Sequence, residues 1–104
     1  MEPSDACRRA GEILLSAGFV CRHISLKSEA RYYGFPDRKG LLRVAAHAAR
    51  GEVVEGELVI AKLTFTYGSP REEREKNLVL TKDQIEALTA SAIGRFLIAS
   101  GMRS

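Results

Sequence analysis

Leu58-Val59-Ile60-Ala61-Lys62-Leu63-Thr64-Phe65-Thr66-Tyr67 is the stretch that decides the fold. Val59, Ala61, Leu63, Phe65 and Tyr67 occupy every second position, with Lys62, Thr64 and Thr66 between them. Successive side chains of a strand point to opposite sides, so this alternation predicts a strand with one buried and one wet face. The rest of the chain must then supply a cover for the buried face.

Upstream, Leu41 to Ala46 predicts another such strand, with Leu42, Val44 and Ala46 on one side and Arg43 and His47 on the other. Pro36-Asp37-Arg38-Lys39-Gly40 before it has turn composition. Glu29 to Phe35, with Arg31, Tyr32 and Tyr33, predicts the strand that this turn joins into a hairpin. Phe19 to Leu26 predicts a further strand. Before it, Ala6, Ala10, Ile13, Leu14 and Ala17 recur at helical spacing, with Ser4 or Asp5 as cap and Gly18 as stop. Ala48 to Glu57 is expected to be a loop, or a short helix ending near Gly51.

Downstream, Gly68 to Asn77 is the most polar stretch and is expected to be a mobile loop. Leu78-Val79-Leu80 predicts a short edge strand or an apolar lead-in. Thr81 is suited to cap a helix over Lys82 to Ser100, with Ile85, Leu88, Ala92, Ile93, Phe96 and Leu97 as its apolar stripe. The class expected is α+β: an antiparallel sheet of three to five strands, with an N-terminal and a C-terminal helix packed on one face. At 104 residues the chain is read as a single domain, 1–104. Small residues on the polar side of the last helix (Ala90, Ser91, Gly94) suggest a homodimer contact.

Composition narrows the function classes. No apolar run reaches the roughly 18 residues that a membrane-spanning helix needs, so no membrane partner is expected. The acidic, polar opening Met1-Glu2-Pro3-Ser4-Asp5 does not read as a secretory signal, which points to the cytoplasm. Cys7 and Cys21 are read as free thiols, since no clustered Cys or His accompanies them. No phosphate-cradling GxxxxGK[ST] or GxGxxG is present, and no GxSxG surrounds a serine. Glu52, Glu55 and Glu57 are read as a solvated loop, not a metal site, and no cofactor is expected. No catalytic residue is assigned.

The net charge is +3, unevenly divided: nine bases against five acids through Arg50, then seven against eight. A basic half suggests an anionic partner. Its bases interleave with aromatics across three predicted strands, and the candidate binding residues are Arg22, Lys27, Arg31, Tyr33, Arg38, Lys39, Arg43 and His47. Tyr32 lies in the same run. Tyr33 is preferred because it sits two residues from Arg31 and so shares its face. Cations that neutralise phosphates beside a ring that can stack on a base are the chemistry of nucleic-acid binding.

Gly18-Phe19, Arg22, Lys27-Ser28-Glu29-Ala30-Arg31-Tyr32-Tyr33, Phe35-Pro36-Asp37 and Leu41-Leu42-Arg43-Val44 closing on His47 together resemble the HicA-type toxins of bacterial toxin–antitoxin pairs. The resemblance covers under a third of the chain. It implies a double-stranded-RNA-binding-domain-like α-β-β-β-α scaffold. That family carries a catalytic histidine in a Gly-Ser-His triplet; here Ser28-Glu29-Ala30 stands in its place, so an RNA-binding scaffold is implied without the family's catalytic residue. The sequence thus leads to a non-catalytic nucleic-acid-binding module. The alternatives are a small protein of mobile-element type that binds and modulates a host protein, and a nuclease acting through His47.

Overall fold

The computed structural model describes residues 1–36 and 41–103. The elements run α1 (Pro3–Ser16), β1 (Val20–Ser25), β2 (Ala30–Gly34), β3 (Leu41–Ala48), β4 (Val53–Val54), β5 (Glu57–Ser69), β6 (Glu72–Thr81), α2 (Lys82–Ala87) and α3 (Ala90–Ala99). The class is α+β with an antiparallel sheet, as expected, but the sheet has six strands instead of three to five.

The alternating stretch sits in β5, which is the hub of the sheet. It pairs with β3, with β4 and with β6, while β2 joins β3 and β1 closes the far edge. Ile60 is the exception to strict alternation. Opposite β6 the register jumps from Val59–Thr81 to Ala61–Leu80, so Ile60 is a bulged residue and joins the core beside Ala61.

α1 starts two residues earlier than a Ser4 cap, and three earlier than an Asp5 cap, would allow. Glu2 is the N-cap and Pro3 opens the helix, where a missing amide hydrogen costs nothing. Its end follows the glycine signal: Gly18 takes φ +103°, its amide donates to Leu15 and the Phe19 amide donates to Leu14. Those bonds satisfy carbonyls that the last turn would otherwise leave open, and they aim the chain into β1.

Three expectations are corrected. The stretch Ala48–Glu57 is not a free loop or helix. After Ala49–Glu52 the chain forms β4, turns through Glu55 (φ +51°) and Gly56 (φ +79°), and returns as β5. Positive φ at both turn positions matches the tight hairpin turn whose twist suits paired strands. Gly68–Asn77 is not a loop: most of it belongs to β6, paired with β5 from Ser69–Glu72 to Val59–Thr81. Its charged side chains hide it from a hydrophobic-period reading, because this strand is an edge whose outer half stays wet.

The last helix is also divided. Leu88 is extended (ψ 135°), and Thr89 caps α3 by accepting from the Ala92 amide at 3.1 Å. Thr81 does precede α2, with Gln84 Oε1 accepting from its amide at 2.9 Å. All three helices cover one face of the sheet. Ala10, Ile13 and Leu14 of α1, Ile85 of α2, and Ile93 and Leu97 of α3 share one core with Leu42, Val44, Leu63 and Phe65. Phe96 closes on Phe65, ring centroids 5.2 Å apart.

Candidate binding face of the sheet

Register decides which side chains look at the helices and which look at solvent. β2 pairs with β3 as Arg31–Ala46, Tyr32–Ala45, Tyr33–Val44 and Gly34–Arg43. Directly opposite residues share a face. Val44 and Ala46 are core, so Tyr33 and Arg31 point toward α1, whereas Tyr32 and Gly34 share the uncovered face with Ala45 and Arg43.

The residues expected to form one basic surface are therefore divided. Tyr33 is 3% exposed and its hydroxyl lies against Gly11 of α1, so no base can stack on it. Burial pushes its phenol above the ordinary value of 10.0. Arg31 lies half-buried beneath the same helix, near enough to Cys7 and Tyr33 to oppose the effect of burial on both. Lys27 is exposed in the turn between β1 and β2. Arg38 and Lys39, in the stretch expected to turn, lie outside the described residues. Arg22, Arg43 and His47 are on the uncovered face.

There they meet residues the sequence reading did not choose. Tyr32, 38% exposed, stands between two imidazoles: His23 stacks on it at 5.8 Å between centroids, and His47 meets it edge-on at 6.3 Å. Lys62 of β5 is the cross-strand neighbour of His47. Arg22 occupies the bulge of β1 and lies across Gly34, the position with no side chain to displace it. Arg22, Tyr32, Phe35, Leu41, Arg43 and Thr66 line a concavity of about 570 Å³ on this face.

The face is not uniformly basic. β6 brings Glu73 and Glu75 opposite Gly68 and Thr66, and Glu73 holds Arg43 at 2.8 Å. Both partners of that pair are more than half-way to full exposure or close to it, so the pair is a weak, solvent-screened contact. The cationic part is the β1–β3 side.

The buried thiol adds no chemistry here. Cys7 is buried, directed at the carbonyls of Ala46 (3.3 Å) and Glu29 (3.5 Å), and burial raises its pKa above 9.0. An un-ionised buried thiol is inert. Cys21 is exposed and free. Glu52, Glu55 and Glu57 stand around the β4–β5 hairpin, and among the described residues no three His, Cys, Asp or Glu converge on one point. Among these residues no helix is long and apolar enough to cross a membrane.

Comparison with protein-family models, with curated proteins and with solved structures finds no match to this chain.

Proposed function

We propose that the uncovered face of the sheet binds single-stranded nucleic acid without catalysis. The observation that carries this reading is the half-exposed Tyr32 ring, set between His23 and His47 beside a concavity lined by Arg22 and Arg43. A ring that presents part of its surface on an open sheet gives an unpaired base a place to stack, and flanking cations neutralise the phosphates on either side. A paired base has its faces covered by its neighbours, so the arrangement suits single strands. In the resemblance to the HicA-type toxins, Ser28-Glu29-Ala30 stands where that family carries its catalytic histidine, which favours binding over cleavage.

The test is fluorescence anisotropy with labelled single- and double-stranded RNA and DNA across a salt series. Arg22, Arg43 and Lys62 are three cations. At about −0.7 per phosphate neutralised on a single strand, log K against log salt should have a slope near −2. Binding that is insensitive to salt, or unchanged in an Arg22→Glu/Arg43→Glu protein, would sink the proposal. A protein that docks acidic side chains on the same arginines is the alternative reading. It is favoured if no nucleic acid binds even at low salt.

A further inference from the structure

β1 is an edge strand. Among the described residues it pairs with β2 alone, and Val20 to Ile24 are all exposed. Such an edge presents a row of unpaired amides and carbonyls, a template for one more strand. The register jump at Arg22 breaks regular pairing near the start of β1. Beyond it, His23, Ile24 and Ser25 pair in unbroken order with Tyr32, Arg31 and Ala30, so this stretch keeps the regular spacing that an added strand needs.

The two sides of this edge differ. Ile24 lies opposite Arg31, which lies opposite the core residue Ala46, so Ile24 is on the helix-covered side. α1 packs mainly over β3, β5 and β2 and leaves Ile24 43% exposed; Leu26, just past the strand, is 83% exposed. Between them and Ser4 of α1 lies a groove of about 140 Å³ with Arg31 in its lining. On the uncovered side His23 stands opposite Tyr32, with Arg22 beside it in the bulge. The charge around the edge is positive. Arg22, Lys27 and Arg31 are in no ion pair among the described residues, whereas Asp5 and Glu29, the acids of the same region, are held by Arg8 at 3.7 Å and Arg50 at 2.8 Å. A second copy of β1 would bring like charges together. An acidic strand would meet opposite ones.

We infer that β1 takes up an extended segment of a partner protein as an additional strand. Successive side chains of that segment point to opposite sides. Those on the helix side are apolar and cover Ile24 and Leu26; those on the uncovered side are acidic and meet Arg22. Lys27 and Arg31 attract the same acidic segment. Backbone hydrogen bonds to β1 supply the affinity, and the alternating side chains supply the selectivity. The inference stands on the edge and its groove and needs no nucleic acid.

The probe is a fluorescein-labelled octapeptide alternating valine and glutamate, titrated with the full chain and read by anisotropy. Its valine–lysine counterpart is the control. The valine–glutamate peptide should bind, less tightly as salt rises, and the control should not. The same peptide with every amide N-methylated keeps its side chains and loses its donors, so it should not bind. Ile24→Ser/Leu26→Ser should weaken the valine–glutamate peptide roughly tenfold and leave nucleic-acid affinity unchanged, because both residues are off the Tyr32 face. Arg22→Glu/Lys27→Glu should reverse the preference toward the valine–lysine peptide. All four positions are exposed, and circular dichroism checks that each protein is folded. Absence of peptide binding at low salt would overturn the inference. So would equal binding of the N-methylated peptide, which is attraction by charge alone, or an unchanged affinity in Ile24→Ser/Leu26→Ser. A dimer in sedimentation velocity that those two substitutions abolish would also overturn it, because a second copy would then fill the edge. Peptide binding without nucleic-acid binding overturns only the reading of the Tyr32 face, and the converse overturns only this one.

Discussion

The Tyr33 hydroxyl occupies the space that a side chain at position 11 would fill. Gly11 lies in the middle of α1, and a Cβ there would collide with that oxygen and crowd the ring carbon behind it. Two effects oppose each other in Gly11→Ala. Helix propensity gains about 1 kcal/mol, while overpacking a buried contact costs about 1–3 kcal/mol. The collision is with a ring held in the core, so the loss should win. Urea denaturation should show Gly11→Ala less stable than wild type, and Tyr33→Phe, which removes the oxygen, should recover much of the difference in the double variant.

The two adjacent tyrosines should separate cleanly. Tyr32→Ala should leave the thermal midpoint nearly unchanged and weaken single-strand binding by the ~1–3 kcal/mol of one stacked base. Tyr33→Ala should cost about 3–5 kcal/mol of stability, as for other large core aromatics. Equal effects of the two on binding at a temperature where both are folded would refute the assignment of Tyr32 to the ligand face.

Glu73 competes for Arg43. Removing its charge in Glu73→Gln frees the guanidinium and takes a negative charge off the face. Single-strand affinity at low salt should rise, by an amount on the order of the 0.2–1 kcal/mol of an exposed ion pair. The gain should vanish in an Arg43→Ala background, which a binding titration of the four proteins of the cycle would reveal.

Gly34 gives Arg22 its resting place. A Cβ at position 34 would come within 2.9 Å of Arg22 Nε, closer than such atoms approach, and the end of that side chain is free to move. Gly34→Ala should therefore fold normally and shift Arg22 off the sheet. Its signature is weaker binding without loss of stability, measured by anisotropy and thermal melting on the same sample.

Alkaline pH should loosen the α1–β2 contact. Burial is the main cause raising both the Cys7 thiol above 9.0 and the Tyr33 phenol above 10.0. Each raised group holds its proton longer in the folded chain than in the unfolded one. Stability is therefore full below the unfolded values and falls as pH climbs through the folded ones. Denaturation midpoints should be level near neutrality and decline from about pH 9 upward, more steeply past 10. Cys7→Ala should remove the early part of the decline, and Tyr33→Phe the later part.

Much of this architecture is legible residue by residue. Period two in Leu58–Tyr67 and in Leu41–Ala46 identifies the central strands, and Gly18 and Thr81 mark helix boundaries. These signals are local: an alternation, a stop, a cap. Beyond Leu78-Val79-Leu80, β6 carries no such signal, because Glu72 to Asn77 has no apolar face and becomes a strand only by hydrogen-bonding to β5. The break at Leu88-Thr89 is similar, since the apolar stripe runs on through it. The candidate site depends on the same distinction. That Arg31 and Tyr33 share a side is a property of the strand, readable from their spacing. Which side α1 would cover is not, because Ala30-Arg31-Tyr32-Tyr33-Gly34 offers a tyrosine to either face. Pairing with β3, whose Val44 and Ala46 must be buried, turned Tyr33 inward and left Tyr32 with Arg22, Arg43 and His47. Burial of apolar surface from distant parts of the chain made that choice, and no local pattern encodes it.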